Sequence, residues 1–129
     1  SSMKALEKIS VQLGQIATIE VAWLYGSRAT GSHTEKSDFD IAVVLKPNLT
    51  NPHQIVDDVQ YSLTELEGID VPVSVINLVT APVPLALNVV DQGQVIICKS
   101  DLRLRQEQQR IWSLWEEYKY QHEQYRKKL

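Results

Sequence analysis

Residues 25–45 constrain this chain more than any other stretch. Tyr25-Gly26-Ser27-Arg28-Ala29-Thr30-Gly31-Ser32 is followed by Ser37-Asp38-Phe39-Asp40 and then Ile41-Ala42-Val43-Val44-Leu45, with ten residues between Ser27 and Asp38. The run Ile19 to Tyr25 is rich in β-branched and aromatic residues and stops at a glycine. It reads as a strand whose end lets the backbone approach a ligand with no Cβ in the way. Ser27 then opens a short helix, and a helix N-terminus offers unpaired N–H groups and a positive dipole end to a phosphate. Asp38 and Asp40 stand at the head of a second strand. Alternation places both carboxylates on one face and Phe39 and Ile41 on the other.

Two carboxylates side by side repel unless a divalent cation lies between them. Mg²⁺ takes hard oxygen ligands and usually combines one or two carboxylates with substrate phosphates. The stretch therefore supplies amides and a hydroxyl for a phosphate tail, and carboxylates for a metal that bridges it. Arg28 follows Ser27 directly, and a guanidinium can pair with phosphate oxygens in a fork. His33 and Lys36 can either reach the same phosphates or belong to an exposed polar loop.

Written as a pattern, Gly26, Ser27, Asp38 and Asp40 form G-S-x10-D-x-D between two strands. This resembles the signature of the nucleotidyltransferases of the DNA polymerase β superfamily. In so short a chain it is similar to the minimal nucleotidyltransferase (MNT) family of prokaryotes. The resemblance runs from Ile19 to Cys98 and is strongest from Tyr25 to Leu45. It implies that Gly26 and Ser27, with Arg28, hold nucleotide phosphates, and that Asp38 and Asp40 are catalytic ligands of Mg²⁺ with ATP as substrate.

The rest of the chain sets the frame. At 129 residues it reads as a single nucleotidyltransferase domain over 1–129, with a catalytic core over 19–98 and a C-terminal helix over 101–129. Ser1 and Ser2 ahead of Met3 are set aside, and no signal peptide or membrane span is expected. One cysteine, Cys98, allows no internal disulfide, which fits the cytoplasm. Residues 1–100 carry 6 Lys and Arg against 11 Asp and Glu, and residues 101–129 carry 7 against 5. So acidic a body is a poor footprint for nucleic acid, so no DNA template is expected.

The periodicity predicts an amphipathic helix over 3–17 through Leu6, Ile9, Leu13 and Ile16. Asn51-Pro52 signals a helix start, with Ile55, Val56, Val59, Leu63 and Leu66 on its apolar side. Residues 71–78 alternate as a third strand, residues 84–91 form a short helix and Gln94 to Cys98 a fourth strand. The expected fold is α/β: a mixed sheet of about four strands with helices packed on one side, and a long C-terminal helix. From Asp101, read as the N-cap, to Lys128 there is neither Gly nor Pro, and a continuous helix would be roughly 40 Å long. Leu104, Ile111, Trp115, Tyr118, His122 and Tyr125 form a stripe at intervals of three and four, with Gln108 in the one gap. Its first half reads as a cover for the sheet and its second half, Tyr118 to Tyr125, as a partner surface.

Superfamily members carry a third carboxylate on a neighbouring strand. Anchored on Thr80-Ala81-Pro82 and Gln92-Gly93, that position falls on Ser74, and Val71 to Leu78 contains no Asp or Glu. Asp70 shares the strand parity but lies roughly 13 Å away along an extended strand, so only a shifted register would let it substitute. The MNT resemblance also implies a partner, a HEPN-domain ribonuclease toxin, silenced in some pairs by transfer of AMP from ATP onto a toxin tyrosine. Three readings follow: a protein adenylyltransferase acting as antitoxin; an antitoxin of weakened catalysis that neutralises by binding; and a transferase for a small hydroxylated acceptor, which 129 residues leave little room to hold.

Overall fold

A computed structural model describes residues 2–128, with side chains from Lys4 onward. Helix α1 (Ser2–Gly14) leads into strand β1 (Ile19–Tyr25), the short helix α2 (Ser27–Thr30), strand β2 (Phe39–Leu45) and helix α3 (Pro52–Thr64). Strand β3 (Val73–Asn77) then runs into a single 3₁₀ turn over Leu78–Thr80. Helix α4 (Val83–Gln92), strand β4 (Gln94–Cys98) and helix α5 (Asp101–Lys128) complete the chain.

The four strands form one sheet in the order β3-β2-β1-β4. β1 pairs antiparallel with both β2 and β4, while β2 and β3 run parallel, so the sheet is mixed. The central strands are buried at nearly every position, which is why Ile19–Tyr25 and Ile41–Leu45 read as unbroken apolar runs.

The helices cover both faces of the sheet, not one as the sequence suggested. Ala22 and Leu24 of β1 and Phe39, Ile41 and Val43 of β2 pack with Ile9 and Leu13 of α1 and Val56, Val59 and Leu63 of α3. The opposite face, with Val21, Trp23, Tyr25, Ala42 and Val44, packs on Ala86 and Val89 of α4 and Ile111 of α5. Two-sided burial follows from the strands themselves, since both parities of β1 and β2 are apolar and each needs a cover.

At the start of α5, Ser100 rather than Asp101 supplies the cap: its hydroxyl accepts from the Arg103 amide at 3.1 Å. Asp101 lies in the first turn, where its charge suits the helix dipole. Ile111 is the last fully covered residue of α5; Tyr118, Tyr120 and Tyr125 beyond it are exposed. Twenty-eight residues span about 42 Å, so the second half of the helix overhangs the body. No helix among the described residues is long and apolar enough to cross a membrane.

Candidate active site

The end of β1 determines the site. Gly26 adopts φ 74°, ψ −156°, a conformation that side chains rarely accept, and turns the chain into α2. Its carbonyl accepts from the Ala29 and Thr30 amides at 3.1 and 3.3 Å, while Gly31, at φ 83°, ends the helix. The first amides of α2 are thereby left at the mouth of the turn.

β2 brings the carboxylates to the same place. Asp40 is the register partner of Tyr25 across the antiparallel pair. Its Oδ2 lies so close to the Gly26 backbone that a Cβ there would collide with it. The Gly26 turn and the Asp40 carboxylate are thus in direct contact, although fourteen positions apart in the chain. Asp38 lies just ahead of the strand with the parity of Asp40. Burial raises the Asp40 carboxyl above its ordinary value, and the charge of Asp38 raises it further. Burial, and then Asp40, likewise raises the Tyr25 phenol. The pair is a repulsive one, suited to a cation that would sit between the charges. No cluster of three or more His, Cys, Asp or Glu side chains able to hold a metal occurs among the described residues. Asp38 and Asp40 are the carboxylates that would hold a metal here, a donor set that fits Mg²⁺ if phosphates and water completed the shell.

β3 fixes the third position. Ser74 is the register partner of Asp40 in the parallel pair and shares its face. Asp70 does not take its place. The strand begins only at Val73, the chain bends at Val71, and Asp70 lines a cleft with Ala5, Arg28, Lys36 and Phe39. Phe39 belongs to the core on the α1/α3 side of the sheet, away from Asp40.

Arg28 and Lys36 border that same cleft, and Arg28 has partners other than those expected of it. Its Nε and Nη2 donate to the Ser37 carbonyl at 3.0 and 2.8 Å, and its guanidinium lies over the Phe39 ring. Nε and Nη2 are thus occupied by main-chain oxygens, while Nη1 is buried with no hydrogen-bond partner among the described residues. His33 turns Nδ1 inward, where it meets no hydrogen-bond partner among the described residues.

Two contributions were invisible in the sequence. Gln94 of β4 donates through Nε2 to the Ala29 carbonyl at 2.9 Å and braces α2. Glu107 of α5 is buried between Arg103 and Arg110, with Arg103 also reaching Glu20 of β1 at 3.7 Å, and helps to seat the long helix. Gln94 carries no local signal, because it acts on a residue remote in sequence. Glu107 pairs with arginines four positions before and three after it on its own helix, and what the sequence hides is its burial and the reach of Arg103 to Glu20.

A family model described as "Polymerase beta, Nucleotidyltransferase" matches residues 7–102. The chain belongs to that nucleotidyltransferase family. No curated protein matches this nucleotidyltransferase by sequence. Among solved structures it is similar in fold to a toxin–antitoxin crystallised with AMP-PNP, at 20% identity and TM-score 0.75, with 99% of this chain and 98% of that chain covered. It is likewise similar to the toxin–antitoxin MntA–HepT, at 20% identity and TM-score 0.73, covering 98% and 97%. A third neighbour is a Shewanella oneidensis complex of a tri-AMPylated HEPN toxin with an MNT antitoxin, at 19% identity and TM-score 0.74, covering 99% and 98%.

Proposed function

We propose that this nucleotidyltransferase transfers AMP from ATP onto a tyrosine of a cognate HEPN-domain toxin and serves as its antitoxin in the cytoplasm. The observation that carries the reading is the Asp40 carboxylate against the Gly26 turn, which joins a phosphate cradle to a metal ligand. The fold neighbours that are toxin–antitoxin complexes, one of them with an AMPylated toxin, support the choice of acceptor. Gly26 and Ser27 hold the β and γ phosphates through main-chain amides and the Ser27 hydroxyl. Asp38 and Asp40 are the ligands for Mg²⁺, which when bound neutralises the triphosphate and polarises the α-phosphorus. The acceptor oxygen bonds to that phosphorus in line as the bond to pyrophosphate breaks, and the hydroxyl proton is released to solvent. The chain's own contribution is positioning. The overhanging half of α5, on the same face of the sheet as Asp40, presents Trp115, Tyr118 and His122 in stacked contact at 5.6 and 5.7 Å as the surface for the toxin.

Ser74 opposite Asp40 favours a second reading, in which catalysis is weak and the toxin is neutralised by contact. Intact mass of the toxin co-purified with this chain separates the two. Added AMP with wild type and none with the Asp38→Asn, Asp40→Asn double mutant establishes transfer. Unmodified toxin in both, in a complex that still forms, establishes the binding antitoxin.

A further inference from the structure

The phosphate turn and the carboxylates lie on separate segments, and one side chain joins them. Arg28 is the second residue of α2, directly after Ser27. Besides its two bonds to the Ser37 carbonyl, its Nη2 donates to the Glu35 and Thr34 carbonyls at 3.3 and 3.4 Å. The guanidinium carbon stands 4.0 Å from the centroid of the Phe39 ring. Ser37 and Phe39 flank Asp38, so Arg28 grips both neighbours of that aspartate. It is 9% exposed, and a charged donor withdrawn from water holds its acceptors firmly. Phe39 faces the α1/α3 core, so the cation is turned from the side of the sheet where Asp40 meets Gly26.

We propose that Arg28 is a positioning residue, a tie that fixes Asp38 relative to the Ser27 turn, and not a ligand of the triphosphate. The inference rests on the reading of Asp38 as a metal ligand. A planar fork serves several carbonyls at once, which the single ammonium of lysine does not. Losing a residue that orients a metal ligand typically lowers metal affinity about 10- to 100-fold.

The test is Arg28→Lys, read in two ways. Amide exchange should quicken at residues 32–38, where the Thr34 amide bonds the Ser37 hydroxyl and the Ser37 amide the Thr34 carbonyl, and not in the sheet. Mn²⁺ affinity without nucleotide should fall about tenfold or more. On an Asp38→Asn background, Arg28→Lys should cause no further loss of Mn²⁺ affinity. Unchanged exchange and Mn²⁺ affinity, with weakened binding of a non-hydrolysable ATP analogue, would overturn the proposal in favour of a phosphate ligand. Faster exchange throughout the sheet would overturn it in favour of general stabilisation. Wild type that binds no Mn²⁺ would instead refute the metal role of Asp38, and exchange at 32–38 would then decide the tie alone.

Discussion

Asp40 is held under electrostatic tension in the site. Its carboxyl is raised by burial and then by Asp38, so the folded chain holds that proton more tightly than the unfolded chain does. This contribution to stability is fully present below the unfolded value and is lost as pH rises through the raised folded value. Asp40→Asn should therefore raise the melting temperature at neutral pH, and the gain should vanish in acid; calorimetry across pH checks it. A cation competes with the same proton, so Mn²⁺ binding should strengthen as pH climbs through the raised Asp40 value. Gly26 makes the complementary prediction. At φ 74° and with Asp40 against it, Gly26→Ala should cost about 1–3 kcal/mol in denaturant unfolding and remove detectable binding of a triphosphate.

Among the elements, β3 decides which side chain stands beside Asp40. Its register sets Ser74 beside Asp40, and the bend at Val71 carries Asp70 to the cleft on the far face. Ser74→Asp would supply a carboxylate beside the pair. It should increase AMP transfer by about 10²-fold, the lower end of what a positioned base contributes, while lowering the melting temperature of the metal-free chain through added like charge. A transfer assay alongside thermal melting reads both, and an unchanged rate would count against Ser74 as the deficient position. The Gln60 side chain of α3 accepts from the Val75 amide at 2.8 Å, which satisfies one outward donor of this edge strand and helps hold its register.

At the scale of the whole molecule, α5 divides into a seated half and a projecting half. Leu104 and Ile111 belong to the core over the sheet, and Glu107 is held between two arginines. Past Trp115 the helix is almost wholly exposed. Deleting residues 117–129 should leave the melting temperature within a few degrees, since little apolar area is lost from the core. The same deletion should abolish co-purification of the toxin, checked by pull-down of the co-expressed pair.

The sequence by itself determined the strands, the long helix and the order of the site. β1 and β4 lie where their apolar runs ended, and the stripe through Leu104 and Ile111 identified the buried half of α5, because periodicity and turn residues are local properties of the chain. The parity of Asp38 and Asp40 was legible for the same reason. Tertiary structure decided what depends on neighbours remote in sequence. It placed helices on both faces, set Ser74 against Asp40, and brought Asp40 onto Gly26. It also turned Arg28 toward the Ser37 carbonyl. A guanidinium beside a glycine turn has the same sequence whichever way it faces; its place over Phe39 and against the loop carbonyls depends on packing with residues that the local pattern does not specify.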